Sequence, residues 1–235
     1  MNDPDHPILN KDMLLAPPAP ANSRKVELVK GPNIASFPQF EPHPDDLEIP
    51  VLLKVGDEIS TDTIMPAGAK VLPFRSNIPE ISRFVYASVD ESYSRRASES
   101  KDMGGHAIIA GKTYGQGSSR EHAALAPRYL GLRTVIAKNF ARIHWQNLVD
   151  FGILPLRFEN DADYDDVELN DRLKLSAVRD QLRKGKKVVL EDLTKKRTIV
   201  ALHDLSTRQV DVLLAGGLIN WMKSRTKSQA ARRWS

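Results

Sequence analysis

One stretch of the sequence decides the architecture of this chain. It reads Tyr114-Gly115-Gln116-Gly117-Ser118-Ser119-Arg120-Glu121-His122, and a mostly apolar segment that can start a helix follows it. Glycine tolerates positive φ and lets a ligand approach the main chain closely, while serine is a good helix cap. Because helix-start N–H groups and a planar guanidinium both favour negative charge, the stretch predicts a site for a small anion.

Two familiar glycine-rich motifs do not fit this stretch. Arg120 occupies the position of the third glycine of the dinucleotide fingerprint, and no Gly-Lys-Ser/Thr sequence follows as in a P-loop. On these nine residues alone, a capped helix with a surface arginine is an equal alternative to an anion site.

The sequence around the stretch predicts a parallel α/β layer. Apolar runs over residues 51–55, 106–110, 134–137 and 154–158 indicate strands, and residues 119–130 and 140–150 indicate the helices between the last three. An alternation of strands and helices is typical of parallel sheets with helical crossovers. A short helix over 79–87 and a polar helix or excursion over 93–103 precede the second strand.

The carboxy-terminal part has a different pattern. Residues 188–190 and 198–202 indicate antiparallel strands, and residues 207–223 indicate one last helix with apolar side chains at helical spacing. Gly216 and Gly217 lower the propensity of that helix, and close packing against another element would explain why glycine is accepted there.

Several segments carry a family resemblance. Residues 117–125, Gly-Ser-Ser-Arg-Glu-His-Ala-Ala-Leu, resemble the signature of the aconitase superfamily in its carboxy-terminal swivelling domain. The similarity continues through residues 126–131, 135–144, 147–148 and 152–156. Upstream, residues 61–64, 66–68 and 74–75 resemble the other active-site loop of that domain, so the match spans residues 26–222.

The resemblance implies a fold class and a domain organisation. The expected fold is α/β: a swivelling β/β/α domain with a parallel βαβαβ layer, antiparallel strands and a C-terminal helix. The proline-rich residues 1–50 are expected to be a linker, because proline removes donors and holds the chain extended. Residues 51–223 are the expected swivelling domain, and residues 224–235 a basic tail. Residues 30–34 resemble the family's connector, so the chain is expected to begin inside that connector.

The absence of cysteine bears on the cofactor. Aconitases carry a [4Fe–4S] cluster, such clusters are held mostly by thiolates, and this sequence of 235 residues has no cysteine. The family's cluster ligands belong to a large amino-terminal region that this sequence lacks. The resemblance therefore implies that this chain binds no cluster and that a large aconitase-type subunit or domain supplies it.

Charge and hydropathy narrow the choice of partners and compartment. The net charge of +4 comes largely from residues 223–235, which hold five of the basic residues and no acid. Such a tail is more often a solvated end than a nucleic-acid site, and little aromatic interleaving supports the latter. Neither a signal peptide nor a membrane-spanning stretch is visible, so a cytoplasmic protein is expected.

The resemblance also implies roles for individual residues. Ser118 matches the family's catalytic base, acting as an alkoxide, and Asp62 matches an aspartate of the early loop that would orient an arginine or the serine. Arg75, Ser119 and Arg120 match substrate-binding positions.

Other candidate side chains have weaker claims to a role. Asp62 has the alternative of a turn carboxylate bonded to its own backbone. Thr63 stands where the family often has histidine, which removes any role carried by that histidine. His122 and His144 are interpreted as packing or supporting groups, and no histidine shows metal-ligand spacing.

The expected function is therefore that of a part of an aconitate hydratase, a hydro-lyase that isomerises citrate and isocitrate through cis-aconitate. The alternative within the superfamily is the small subunit of isopropylmalate isomerase or homoaconitase. Arg75 favours a tricarboxylate, whereas an isopropyl group would want an apolar pocket. Alternatives of another class are an RNA-binding role and an inactive remnant of an aconitase.

Overall fold

A computed structural model describes residue 12 and residues 14–233, with the main chain alone described for residues 227–233. The chain divides into two units, Met1–Pro32 and Asn33–Ser235. The described part of the first unit contains one short helix, α1, Pro20–Ser23. In the second unit, residues 33–46 have no regular secondary structure and are called the strap below.

The second unit is built on a closed barrel of seven strands within the residues described. In chain order the strands are β1 Leu47–Val55, β2 His106–Ala110, β3 Leu132–Ala137, β4 Leu154–Phe158, β5 Arg172–Leu175, β6 Lys187–Asp192 and β7 Arg197–Leu202. Strands β1 to β4 pair in parallel, and β4, β7, β6, β5 and β1 pair successively in antiparallel fashion. The expected parallel layer with antiparallel strands is confirmed.

Burial explains why the two halves of the barrel have different sequences. In β2, Ile108 and Ala110 join one apolar cluster while Ala107 and Ile109 join the other, so both faces are covered. Parallel strands buried on both faces have continuous apolar sequences. In β6, by contrast, Val188 and Leu190 are buried and the residues between them are exposed.

Helices pack against both the parallel and the antiparallel strands of the barrel. They are α2 Thr61–Ile64, α3 Ile78–Ile81, α4 Tyr93–Lys101, α5 His122–Tyr129, α6 Arg142–Asp150, α7 Asp163–Asp166, α8 Val178–Lys184, α9 Thr207–Leu214 and α10 Leu218–Arg233, with 3₁₀ turns at Leu72–Phe74 and Ser82–Phe84. None of the helices that the structure describes is long and apolar enough to cross a bilayer.

Three predicted boundaries were wrong. Strand β1 begins at Leu47 rather than at residue 51, because Leu47 and Ile49 are buried and the strand passes through Pro50 opposite Arg172 of β5. The helix expected over 79–87 is the short α3 followed by a 3₁₀ turn, and Tyr86 beyond it has a positive φ of 55°. The third correction, at the start of α5, bears on the candidate site and is given below.

The single helix expected over 207–223 is two helices. Gly216 and Gly217 separate them with φ values of 84° and 123°, which favour glycine. A Cβ on Gly216 would lie 2.4 Å from the carbonyl oxygen of Glu41, and one on Gly217 would lie 2.6 Å from that of Asp150. Close packing therefore does require these glycines, but at a break between helices.

The last helix continues through the predicted basic tail as far as Arg233. The side chains from residue 227 onward, and residues 1–11, 13, 234 and 235, lie outside the part described. The domain limits at residues 50 and 223 stay predictions.

Candidate functional site

The glycine-serine turn follows the carboxyl end of β2. Gly115 and Gly117 have φ values of 83° and 104°, and Ser118 and Ser119 are exposed. Helix α5 begins only at His122, after Glu121, and no side chain caps it. The prediction that the serines cap a helix starting at residue 119 is therefore wrong: the glycines leave the serines on an open turn, three and four residues before the helix.

A second loop, after β1, lies against this turn. The amide of Gly115 donates to the carbonyl of Ile59 at 2.7 Å, and the amide of Thr61 donates to the carbonyl of Gln116 at 2.8 Å. These bonds extend the pairing of β1 and β2 beyond the strands. Because both strands are parallel, their carboxyl ends meet at one edge of the sheet, which is where ligands bind in α/β proteins.

Thr61 connects the two loops through its side chain. Its residue is fully buried, and its Oγ1 lies 3.3 Å from both the carbonyl oxygen and the Oγ of Ser118. Helix α2, which starts at Thr61, is capped by Ser60, whose Oγ accepts from the amide of Thr63. The residue that follows Thr61 is Asp62, so α2 delivers a hydroxyl and a carboxylate to the turn.

Arg120 and Asp62 are ion-paired across the two loops. Arg120 Nη1 donates to Asp62 Oδ1 and to the carbonyl oxygen of Met65, both at 2.6 Å. The arginine side chain is 21% exposed and the aspartate 63% exposed. The structure thus brings together Asp62, Ser118 and Arg120, and the guanidinium is held at the solvent-facing edge of the turn.

Arg75 approaches the same region through its main chain. His122 Nε2 lies 2.8 Å from the carbonyl oxygen of Arg75, and the Arg75 side chain is exposed. The loop carrying Arg75 is therefore fixed two residues beyond Arg120. The expectation that the two guanidinium groups bind one ligand stays a prediction.

His144 packs against the buried side of the turn. It is 1% exposed, and burial lowers its pKa to about 4, so it is neutral at physiological pH. Its ring lies under Gly115, where an added Cβ would come within 2.1 Å of His144 Cδ2. The ring also packs edge-on against Tyr114 at a centroid distance of 5.2 Å.

Sequence reasoning missed two of these features. The contact of Thr61 with Ser118 joins residues 57 positions apart, and neither residue signals the other in the sequence. The hydroxyl groups of Tyr86 and Tyr114 are also hydrogen-bonded to each other in the interior. Burial raises the pKa of both phenols. The only sign of this hydrogen bond in the sequence is that a tyrosine, Tyr114, directly precedes Gly115.

The described part of the chain holds no group of His, Asp or Glu side chains that could bind a metal ion, and the sequence has no cysteine. A [4Fe–4S] cluster requires thiolate ligands in nearly all cases, so the residues of this chain do not fit one. What the site offers is an exposed serine, a held guanidinium and a carboxylate on an open surface.

Comparison with known proteins assigns the family. Residues 86–161 match the model of the aconitase C-terminal domain. The chain is 30% identical to the methanogen homoaconitase small subunit of Methanocaldococcus jannaschii, over 76% of this chain and 93% of that protein. The chain therefore belongs to the aconitase family and corresponds to its carboxy-terminal domain.

Two further relatives define the position within the family. The mitochondrial aconitate hydratase of Candida albicans is 31% identical over 88% of this chain, which covers 30% of that enzyme. The chain thus spans about a third of the length of such relatives. The crystal structure of 3-isopropylmalate dehydratase (leuD) from Methanocaldococcus jannaschii superposes with a TM-score of 0.65 at 28% identity, covering 80% of this chain and 99% of that one.

Proposed function

We propose that this chain is the swivelling domain or small subunit of an aconitate hydratase that interconverts citrate and isocitrate through cis-aconitate. The observation that carries the proposal is the Arg120–Asp62 pair at the edge of an exposed turn bearing Ser118 and Ser119. A guanidinium held in this way presents its remaining donors to a carboxylate. Because the turn lies on an open surface, the site needs a second part to enclose the substrate.

The residues of this chain supply a base and a carboxylate clamp. Ser118, as an alkoxide, takes the proton from the carbon next to a substrate carboxylate, and the electron pair left on that carbon forms the double bond as hydroxide departs from its neighbour. Serine is a very weak base in water, so its oxyanion needs nearby donors. The Thr61 hydroxyl at 3.3 Å and the Arg120 guanidinium are the donors that favour this role.

The hydroxyl departure requires an electrophile that this chain does not contain. We assign the [4Fe–4S] cluster to a large aconitase-type partner, whose domains would cover the turn. The proposal for this chain is limited to binding the carboxylate, positioning Ser118 and transferring the proton.

A second candidate is the small subunit of a homoaconitase or isopropylmalate isomerase. The similarity to the two methanogen proteins supports it, because this chain matches them over 93% and 99% of their lengths. Citrate and isopropylmalate differ at one substituent, which is a carboxymethyl group in citrate and an isopropyl group in isopropylmalate. Arg75 favours the carboxylate, since a guanidinium without an anionic partner gains nothing beside an apolar group.

The test is reconstitution. The purified chain alone should not convert citrate, and mixing it with the cluster-bearing large subunit encoded by the same genome should restore aconitate formation. Ser118→Ala should abolish kcat while substrate binding is largely kept, because a base acts in the proton-transfer step. Ser98→Ala, an exposed serine of α4, is the control. Turnover by the isolated chain, or near-normal kcat for Ser118→Ala, contradicts the proposal.

Substrate class is tested by Arg75→Leu in the assembled enzyme. This change should weaken the binding of citrate much more than the binding of isopropylmalate, since losing a charge-assisted hydrogen bond costs about 1.5–3 kcal/mol. Arg83→Leu is the matched control, because Arg83 lies in the same region and pairs with Glu80 at 3.1 Å. Equal effects of Arg75→Leu on both substrates would favour the second candidate.

A further inference from the structure

A second basic site lies at the opposite end of the parallel strands. Gly131, the residue before β3, borders a cavity of about 120 Å³ together with the strap and the ends of α4 and α5. Its lining includes Lys101, Arg128 and Arg133, and it also includes one acidic residue, Glu41. One water needs roughly 10–15 Å³ of such space, so the cavity has room for several waters or one small polyatomic ion.

Arg128 and Arg133 differ from the other partly buried arginines below because neither forms an ion pair within the described part of the chain, although Glu41 lines the same cavity. The other partly buried arginines that ion-pair, Arg96, Arg120 and Arg197, contact Asp90, Asp62, and both Asp163 and Asp166. Among the residues described, no carboxylate lies within 4.0 Å of Lys101, Arg128 or Arg133. Buried charges are otherwise expected to be paired.

Carbonyl oxygens satisfy only part of the guanidinium donors. Arg128, 4% exposed, donates to the carbonyls of Phe151 and Glu41, each at 3.1 Å. Arg133 Nε donates to the carbonyl of Gly104 at 3.1 Å, and its Nη1 is buried without a hydrogen-bond partner. An arginine has five donors, so several remain available.

The charge of the cluster is also incompletely balanced. Burial and then the charge of Arg133 lower the pKa of Arg128 to about 9, while the exposed Glu41 acts in the opposite sense. Lys101 is the last residue of α4 and Arg128 lies in the last turn of α5, where the helix dipoles favour cations. Glu41 is the one acidic residue in the lining, so the three cations outnumber the negative charge at the cavity.

Gly105 and Gly131 allow close packing of the basic side chains beside the cavity. A Cβ on Gly105 would lie 2.8 Å from Arg133 Cγ, and one on Gly131 would lie 3.0 Å from the Cα of Lys101. Both glycines have positive φ. They allow the stems of Arg133 and Lys101 to lie directly against the main chain, and Lys101 Nζ lies 4.2 Å from the centre of the Tyr129 ring.

We propose that Lys101, Arg128 and Arg133 form a binding site for a small oxyanion of phosphate type. A compact anion with several acceptor oxygens matches two guanidinium groups and an ammonium. The site is separate from the Ser118 turn, which follows the carboxyl end of β2, and it does not depend on the proposed hydratase function.

The experiment is a titration of the full chain with inorganic phosphate, followed by phosphorus NMR and calorimetry at constant ionic strength. Binding should saturate at one phosphate per chain and weaken with added salt. Arg133→Met and Lys101→Met should each weaken it at least about tenfold, the effect of losing one charge-assisted bond. Arg179→Met, an exposed arginine of α8 away from the cavity, should leave it unchanged.

Two outcomes would overturn the proposal: phosphate binding that does not saturate, or equal affinity in all four proteins. If Arg133→Met fails to fold, as judged by circular dichroism, Lys101→Met decides, because Lys101 is exposed at the end of a helix. Acetate and chloride serve as further probes, and binding of these as tight as that of phosphate would likewise reject an oxyanion site of this class.

Discussion

The hydroxyl groups of Tyr86 and Tyr114 are hydrogen-bonded to each other inside the protein. The amide of Tyr86 donates to the carbonyl of Ile64 at 2.9 Å, at the end of the helix that carries Asp62, while Tyr114 directly precedes Gly115. The phenol pair therefore joins the Asp62 loop to the Ser118 turn by a single buried contact. Its neighbours Tyr93 and His106 form a second such bond at 2.7 Å.

Removing both phenol hydroxyl groups should cost less stability than the sum of removing each one alone. Tyr114→Phe leaves the buried Tyr86 hydroxyl unpaired and should lower the free energy of unfolding by about 1–3 kcal/mol. The double change Tyr86→Phe/Tyr114→Phe should cost clearly less than the sum of the two single changes, as measured by urea unfolding. Tyr129→Phe, at a half-buried ring, is the control; strict additivity of the two changes would contradict the coupling.

Thr61 should affect turnover more than binding. Thr61→Val keeps the side-chain shape but removes the hydroxyl beside Ser118 Oγ, so we expect kcat of the assembled enzyme to fall roughly tenfold or more with little change in KM. Thr61→Ser restores the donor and should recover most of the rate. A Thr61→Val enzyme with normal kcat would remove Thr61 from the proton-transfer step.

The two members of the Arg120–Asp62 pair should contribute unequally to substrate binding. Arg120→Lys retains the charge but loses the planar fork, so KM should rise strongly. Asp62→Asn leaves the bond from Arg120 to the Met65 carbonyl and should raise KM only several-fold. Steady-state kinetics on the assembled enzyme measure both values, and an Asp62→Asn enzyme more impaired than Arg120→Lys would indicate that Asp62 acts directly on the substrate.

Gly115 should tolerate no side chain. Gly115→Ala combines a positive φ with a clash against the His144 ring and should lower the free energy of unfolding by about 2–5 kcal/mol. Adding His144→Ala should recover the part of this loss that is due to the clash. Gly185→Ala, where an added Cβ would meet nothing within 4 Å, should change stability little. Thermal and urea unfolding check the series, and a Gly115→Ala protein of normal stability would refute the packing argument.

Buried histidines should make the fold sensitive to acid. Burial lowers the pKa of His43 and His144 to about 4 and that of His106 to about 3, below the ordinary value of 6.5. The unfolded chain therefore binds more protons below pH 6.5, and stability falls as the pH drops from there towards 4. Each histidine contributes about 1.4 kcal/mol per pH unit in this window.

Urea unfolding at a series of pH values measures this slope, and His106→Asn should reduce it by about one histidine's share. NMR signals of His43, His106 and His144 that titrate near pH 6.5 in the folded protein would contradict the expectation.

Long apolar runs made the strands predictable. Strands β2 and β4 match the expected residues 106–110 and 154–158, because a strand buried on both faces has a continuous apolar sequence. The start of β1 was missed because Pro50 resembles a strand break, although the closed barrel accommodates it opposite Arg172. The start of α5 was missed because serines before an apolar run look like caps.

The site was predictable only as a set of residues. Local sequence and resemblance pointed to Asp62, Ser118 and Arg120, but contacts across 57 or 58 positions depend on how β1 and β2 pair. The same holds for Arg128 and Arg133, since no sequence pattern reveals that neither of them forms an ion pair with a described residue. The roles of Ser119 and Arg75 stay predictions.

The strap has a consequence for how the protein is made. Asn220 Nδ2 donates to the carbonyl of Phe40 at 2.7 Å across 180 positions, and the amide of His43 donates to the carbonyl of Leu214 at 3.2 Å. A ribosome releases the strap long before it synthesises these partners. The strap can therefore complete its contacts only after residue 220 has been synthesised, so the closing of this unit by its two distant segments is a late step of its folding.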